Sequence, residues 1–209
     1  MFHDIRKDYI FSSLNEDNIL PDPIEQFEVW LNEVIECKEP EPTAMVISTV
    51  DEYLQPHSRM VLLKDISPEG FVFYTNYKGQ KAHQIDVNNR VCLLFFWPKM
   101  ERQVRIEGNV EKLSEAISTA YFLTRPLESR IGAWASPQSQ VIRSMDFLEQ
   151  QIEYYRQKFG ENVPKPPFWG GYIVKPISIE FFQGRPNRLH DRLIFNIVLG
   201  EWKISRLAP

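Results

Sequence analysis

The hydrophobic pattern divides the chain into a helix, a run of strands, a helical block and a second run of strands. Ile24, Phe27, Leu31, Val34 and Ile35 recur at helical spacing behind Asp22-Pro23, so a helix is expected from Asp22 to about Cys37, ended by Pro40 and Pro42. Residues 43–50 are β-branched and apolar, and a turn over 51–55 leads into a strand over 58–66. The turn Ser67-Pro68-Glu69-Gly70 precedes a short aromatic strand over 71–75, and residues 78–88 carry Ala82 and Ile85 at helical spacing. Residues 90–97 are almost wholly apolar, the signature of a strand covered on both faces, and 102–110 alternate. Three helical pieces follow, one beginning at Ser114, one reaching Ala135 after the break at Arg125-Pro126, and one over 145–159. Strands return from Gly170 to the end. Residues 1–21 lack periodicity and read as a mobile N-terminal arm, leaving 22–209 as one domain. Strands, helices and strands again predict an antiparallel, Greek-key-like barrel with flanking helices, α+β overall.

The last strand run contains a polar interruption. Ile177, Ile179 and Phe181 alternate, Gly184, Pro186 and Asn187 break the run, and Arg188, His190 and Arg192 then sit two apart. Read as a returning strand, these three project from one face and form a row of donors suited to an anion or an electron-rich ring. A solvated edge strand would also carry such charges.

Charge changes the picture by exclusion. Twenty-four Lys and Arg against 28 Asp and Glu give a net charge of −4, the wrong sign for a nucleic-acid coat or a polybasic membrane patch. Cys37 and Cys92 form no paired motif, which fits a reducing cytoplasm. The first residues lack the apolar core of a signal peptide, and no apolar stretch has the length to span a bilayer. His3, His57, His83 and His190 are far apart, so no metal site is expected.

Local cationic groups remain. Arg59 and Lys64 bracket an apolar strand and fall on opposite faces unless it bulges. Tyr74-Thr75-Asn76 precedes a helix carrying Lys81, where a hydroxyl, an amine and a helix start could hold a phosphate. Tyr121 and Arg125 share one helical face, with Ser129 beyond Pro126, a second candidate phosphate clamp. Each of these also has an ordinary structural reading as a turn former or a helix-end charge. No GxGxxG, P-loop, serine triad or cysteine–histidine signature is present.

In order along the chain, RMVLLK, FYTN, KAHQI, ERQVRIEG, the RP-x-E-S-x-IGAWAS-x-QS segment, FWGGY and RLHDR resemble the pyridoxine/pyridoxamine 5′-phosphate oxidases. The resemblance runs from about Arg6 to the closing ISRLAP. It implies an FMN-binding split barrel, a homodimer with FMN at the interface, and oxidation of pyridoxamine or pyridoxine 5′-phosphate with O2 as acceptor. It assigns the FMN phosphate to Arg59, Lys81 and Ser139. The rest of the flavin site falls to Met60, Val61, Leu62, Leu63, Lys64, Tyr74, Thr75, Gln103, Gln138 and Arg192. The substrate phosphate goes to Lys64, Tyr121, Arg125 and Ser129, and the pyridine ring to Arg188 and His190. Arg6 and Tyr9 match a segment that covers the pocket in relatives. Three positions depart from the pattern: Gln80 stands where an arginine is usual, Phe182 where a tryptophan is usual, and Glu41 where an aspartate is usual. Loss of the arginine removes one charge-assisted contact, worth about 1.5–3 kcal/mol. Two alternatives stay open at this level: the same flavin barrel with another substrate, or a non-catalytic binder of pyridoxal phosphate.

Overall fold

The computed structural model describes residues 9–209. The first helix, α1 (Pro23–Glu36), is capped by the Asp22 carboxylate, which accepts from the amides of Ile24 and Glu25, with Pro23 in the first turn where no donor is missed. Its buried face is Ile24, Phe27, Trp30, Leu31 and Val34; Ile35, expected on that face, is half exposed and Trp30 takes its place.

Among the described residues, nine strands form one sheet in which every pairing is antiparallel: β1 (Ala44–Val50), β2 (Pro56–Leu62), β3 (Asp65–Ser67), β4 (Gly70–Asn76), β5 (Arg90–Trp97), β6 (Arg102–Lys112), β7 (Trp169–Gln183), β8 (Asp191–Val198) and β9 (Glu201–Arg206). The single strand expected over 58–66 is divided. After Leu62 the backbone changes partners, with the Leu63 amide on Thr43 and the Lys64 amide on Val72. Alternation nonetheless persists through Lys64: Arg59, Val61 and Leu63 are the more buried positions and Met60, Leu62 and Lys64 the exposed ones, so Arg59 and Lys64 lie on opposite faces, as the sequence spacing predicts.

The long strands β6 and β7 curl the sheet into a half-barrel. Their register slips between Glu107 and Gly108, and a side chain at Gly108 would meet the Lys175 carbonyl at 2.3 Å. Around this point β7 exchanges neighbours: residues 169–174 pair with β4, residues 178–183 with β8. The inner face carries Met45, Ile47, Phe71, Phe73, Leu93, Phe95, Val104, Ile106, Ile179, Phe181, Leu193 and Phe195, and α1 closes over it. Phe27 plugs the closure edge-on to Phe71 and Phe95, at 4.9 and 4.8 Å between centroids.

Helix α2 (Gln80–Val87) lies against β1 and buries Ala82 and Ile85. Helices α3 (Glu115–Thr124), α4 (Leu127–Ala135) and α5 (Met145–Phe159) flank the barrel over a smaller core of Phe122, Ile131, Val163 and Trp169. Residues 9–21 run over the barrel and insert Leu14 into the main core. Among the described residues, no helix is long and apolar enough to cross a membrane.

Candidate active site

One cavity, of about 320 Å³, collects ten of the predicted residues. Met60, Val61 and Leu62 reach it from β2, Lys64 from the break after β2, Tyr74 and Thr75 from β4, Lys81 from α2, and Tyr121 and Arg125 from the end of α3; Gln138 and Trp169 complete it. Among the described residues, three cations line this wall and no carboxylate does. Leu63, expected to line the same site, points the other way into the core at 4% exposure. The reason is the period of the strand, in which Leu63 alternates with the exposed Leu62 and Lys64; Val61, on the same face as Leu63, is only partly buried, so it packs on the core and still borders the cavity.

Arg125 sits at the centre of an aromatic box. The Tyr74 and Tyr121 rings stack at 3.8 Å, Trp169 lies parallel to both, and the Arg125 guanidinium is 4.7 Å from the Trp169 centroid. The Tyr74 ring fits there because residue 171 is glycine; a side chain at that position would come within 2.7 Å of it. Arg125 Nη1 is buried and has no hydrogen-bond partner among the described residues. Burial pushes the guanidinium's pKa down, the direction expected for a charge taken from water without a counter-ion. A group that strongly basic stays charged, so the site has an unspent donor and an uncompensated charge. Ser129 lines an adjoining cavity of about 290 Å³ with Arg125, Gln138 and Trp169.

Lys81 is buried at 8% exposure and donates to Thr75 Oγ1 at 3.0 Å and to Gln138 Oε1 at 2.7 Å, both neutral. Burial first and the Arg59 charge second bring its pKa down to about 8. Arg59 does not line the cavity wall. Its guanidinium donates to Thr49 Oγ1 at 2.5 Å, Gln84 Oε1 at 3.1 Å and the His57 carbonyl at 3.0 Å, again all neutral partners. Gln80 and Ser139 line a different cavity, of about 440 Å³, shared with Gln84 and Gln140.

The remaining predicted residues sit elsewhere. Phe182 pairs with Gln103 on one side and Arg192 on the other, at the end of β7 opposite Gly171. From Gly171, opposite Tyr74, to Phe182 is eleven residue steps (171 to 182), about 36 Å of extended chain. Neither cavity that holds Arg125 is lined by Gln103, Phe182, Arg188, His190 or Arg192.

The expected strand face of Arg188, His190 and Arg192 is corrected. Pro186–Arg188 is a single 3₁₀ turn, β8 begins only at Asp191, and Asn187 and Arg188 both have positive φ, 57° and 62°. Strand alternation therefore does not apply to Arg188 and His190. Arg188 is exposed, while His190 is held between rings, 4.8 Å from Phe182 and 5.6 Å from Tyr9. The Arg185 amide donates to His190 Nδ1 at 3.1 Å. An amide can only donate, so Nδ1 accepts and Nε2 carries the proton of the neutral ring. Burial and the nearby Arg188 charge lower its pKa and favour that neutral form. Arg192 is anchored by the buried carboxylate of Glu180, at 2.7 Å, which Arg105 also holds at 2.6 Å. Arg6 lies outside the described residues. Glu41 is exposed, with φ of 50°.

Several residues that shape the site were not singled out from sequence. Trp169 was visible only as part of FWGGY, where an aromatic residue before two glycines announces a close approach of backbone and rings. Glu180 and Asp191 carried no separate signal, because a carboxylate on a strand is usually solvated.

Comparison with known proteins adds identity to this geometry. The family described as "Pyridoxamine 5'-phosphate oxidase" matches residues 31–159, and the region described as "Pyridoxine 5'-phosphate oxidase C-terminal dimerisation region" matches 169–209. A pyridoxine/pyridoxamine 5'-phosphate oxidase of Cupriavidus necator is 52% identical over 207 residues, covering 99% of this chain and 98% of its own. One from Burkholderia mallei is 49% identical over 209 residues, with 99% and 98% covered. Among solved structures, PhzG from Burkholderia lata 383, in complex with tetrahydrophenazine-1-carboxylic acid, superposes with a TM-score of 0.89 at 24% identity, covering 94% of this chain and 98% of that one. An FMN-binding protein from Nostoc punctiforme, related to pyridoxamine 5'-phosphate oxidase, gives 0.74 at 13% identity, with 90% and 98% covered. These two likenesses establish the fold, an FMN-binding-type split barrel.

Proposed function

The chain belongs to the pyridoxamine 5'-phosphate oxidase family, and on that premise we propose that it oxidises pyridoxamine or pyridoxine 5′-phosphate to pyridoxal 5′-phosphate. FMN is the cofactor and O2 the acceptor; H2O2 is released, with ammonia from the amine substrate. The observation that carries this reading is the cavity of three cations and no carboxylate, with the Arg125 Nη1 donor unspent at its centre.

The residues present fit FMN. Lys81 and Arg59 are cations whose partners are all neutral, so a phosphate dianion would supply the missing charge to both. Thr75, Gln138 and Ser139 add uncharged donors around them. The β2 segment from Met60 to Leu62 offers an apolar wall for a planar ring. When bound, FMN supplies two-electron oxidation at the substrate's C4′ carbon and passes the electrons to oxygen.

The chain's own groups place the substrate. Lys64, Tyr121, Arg125 and Ser129 take its phosphate, and the cost of burying Arg125 uncompensated is offset when the anion arrives. Arg188 and the Nε2–H of His190 present two donors to the pyridine ring and stabilise negative charge developing there. Because these donors stand at the far end of β7 from Arg125, the complete site is built by a homodimer in which the 184–192 turn of one copy meets the cavity of the other. The matched dimerisation region contains that turn. Gln103 and Arg192 reach the flavin from the same end. The free thiols of Cys37 and Cys92 suit a reducing cytoplasm.

The test is an absorption spectrum of the purified yellow protein before and after anaerobic addition of pyridoxamine phosphate. Bleaching of the flavin band, with peroxide appearing once air is admitted, is the expected result. A flavin band indifferent to the substrate would discard the reaction, and a colourless protein that binds pyridoxal phosphate would replace it with a storage role.

A further inference from the structure

The turn that carries Arg188 and His190 is strained and is fastened from outside itself. Two consecutive non-glycine residues, Asn187 and Arg188, occupy the left-handed region; asparagine tolerates it, but an arginine persists there only if its surroundings over-determine it. The Asp191 side chain provides that determination. Its Oδ2 accepts the Leu14 amide at 3.0 Å and faces Arg185 Nε at 3.4 Å; its Oδ1 accepts from Arg206 Nη1 at 3.1 Å.

Each of these partners leads back to the turn or to the segment before it. Arg185 opens the turn, donates its amide to His190 Nδ1, and donates Nη1 to the Ser12 carbonyl at 3.0 Å. Arg206, on the last strand, also grips Glu16 through two bonds and the Leu14 carbonyl through a third. Just upstream of the residues this clasp holds, the Tyr9 ring lies over Gly184, where a side chain would collide with it at 2.4 Å, and beside the His190 ring. The Arg185–Asp191 pair thus closes the base of the turn while Asp191 also holds residues 12–16 against it.

We infer that Asp191 is a positioning residue for the reaction: it locks the turn, the N-terminal segment and the last strand into one unit, so that Arg188 and His190 are presented in a single geometry. It rests on the substrate reading above only in what Arg188 and His190 are presented to. Asp191 itself touches neither cavity. The Leu14 amide and the turn should therefore gain and lose order together, although about 170 residues separate them in sequence.

The experiment is amide hydrogen exchange on the FMN-loaded protein and on Asp191→Ala and the milder Asp191→Asn, paired with steady-state kinetics on pyridoxamine phosphate. In Asp191→Ala, exchange should accelerate at Leu14 and, in parallel, at Gly184 and Leu189, while amides of β5 and β6 and the flavin content stay as they were. KM should rise about tenfold with kcat changed less than threefold, and Asp191→Asn, which keeps an acceptor for the Leu14 amide, should fall between. Acceleration confined to residues 12–16, or an unaltered KM, overturns the inference. If the unsubstituted protein fails to turn over the substrate, the functional reading falls, and the exchange pattern alone still decides whether Asp191 holds the turn. The Asp191→Asn variant keeps the comparison available should Asp191→Ala fail to fold.

Discussion

The two ends of β7 carry cations under opposite electrostatic regimes. At the Trp169 end, Lys64, Lys81 and Arg125 face a cavity with no carboxylate, and Arg125 is left with a bare donor. At the Gln183 end, Arg185 and Arg206 are paired to Asp191, Arg192 and Arg105 to Glu180, and Arg188 alone makes no ion pair or hydrogen bond among the described residues. An uncompensated buried cation is costly until an anion arrives, so the first end is built to bind. Arg185, Arg206 and Arg105 are committed to carboxylates, so the second end is built to hold a shape, with Arg188, His190 and Arg192 as what it displays. Affinity and orientation are divided between the ends of one strand.

The most damaging way to test that division is to empty the binding end. Arg125→Ala should raise KM for the phosphorylated substrate roughly 10- to 100-fold, the range expected for one or two charge-assisted hydrogen bonds. FMN affinity should move less than threefold, and fluorescence titration of the flavin checks that. Equal losses in both would mean that the cavity holds one phosphate, not two.

At the orienting end, Arg188→Ala and His190→Ala should each lower kcat/KM about tenfold or more while the protein stays yellow. Loss of flavin from a folded His190→Ala variant would show that the turn belongs to the cofactor site and not to the substrate.

A smaller effect, and one specific to the binding end, is pH dependence. Lys81 has a pKa of about 8 in the ligand-free chain, and a bound phosphate must raise it, because an opposite charge favours the ammonium. The sign follows. Below pH 8 the lysine is charged before FMN arrives and affinity is flat on its account. Above pH 8 binding must take up a proton, and the dissociation constant should weaken by up to tenfold per pH unit until the raised pKa of the complex is reached. Lys81→Met should flatten the curve between pH 8 and 9. A wild-type constant that stays level across that interval would leave Lys81 outside the flavin phosphate site.

How much of this was readable beforehand differs between the ends for a physical reason. The binding end is made of elements whose side-chain directions follow from period: Tyr121 and Arg125 one helical turn apart, Tyr74 and Thr75 at a strand end, Lys81 opening a helix. Lys64 keeps the outward direction of Met60 and Leu62, which also follows from period, whereas one run of apolar residues offers no sign that the backbone changes partner from Thr43 to Val72. At the orienting end the reading as a strand failed, because Arg188 takes a backbone conformation that its type disfavours. It is held there by Asp191 and by residues at the other terminus, and contacts of that range leave no local trace. Asp191 sits inside RLHDR, between two residues that were singled out, yet only coordinates show what its carboxylate does.

The smallest expected effect concerns Gln80, and its size depends on where the side chain lies. A buried arginine on a phosphate would restore about 1.5–3 kcal/mol, but Gln80 is exposed at the first position of α2 and lines the cavity of Ser139 and Gln140, not the one that Lys81 and Gln138 line. There, solvent screens a new charge and its side chain must be ordered to use it. Gln80→Arg should therefore tighten FMN binding by a few-fold, and the gain should shrink as salt is raised, whereas the Lys81 contribution, from a side chain 8% exposed, should persist. Titrating FMN into both proteins at two ionic strengths reads this directly. A gain that survives high salt would place Gln80 in the cavity that Lys81 and Gln138 line when the flavin is bound, and no gain at all would show that Arg59 and Lys81 already neutralise the phosphate between them.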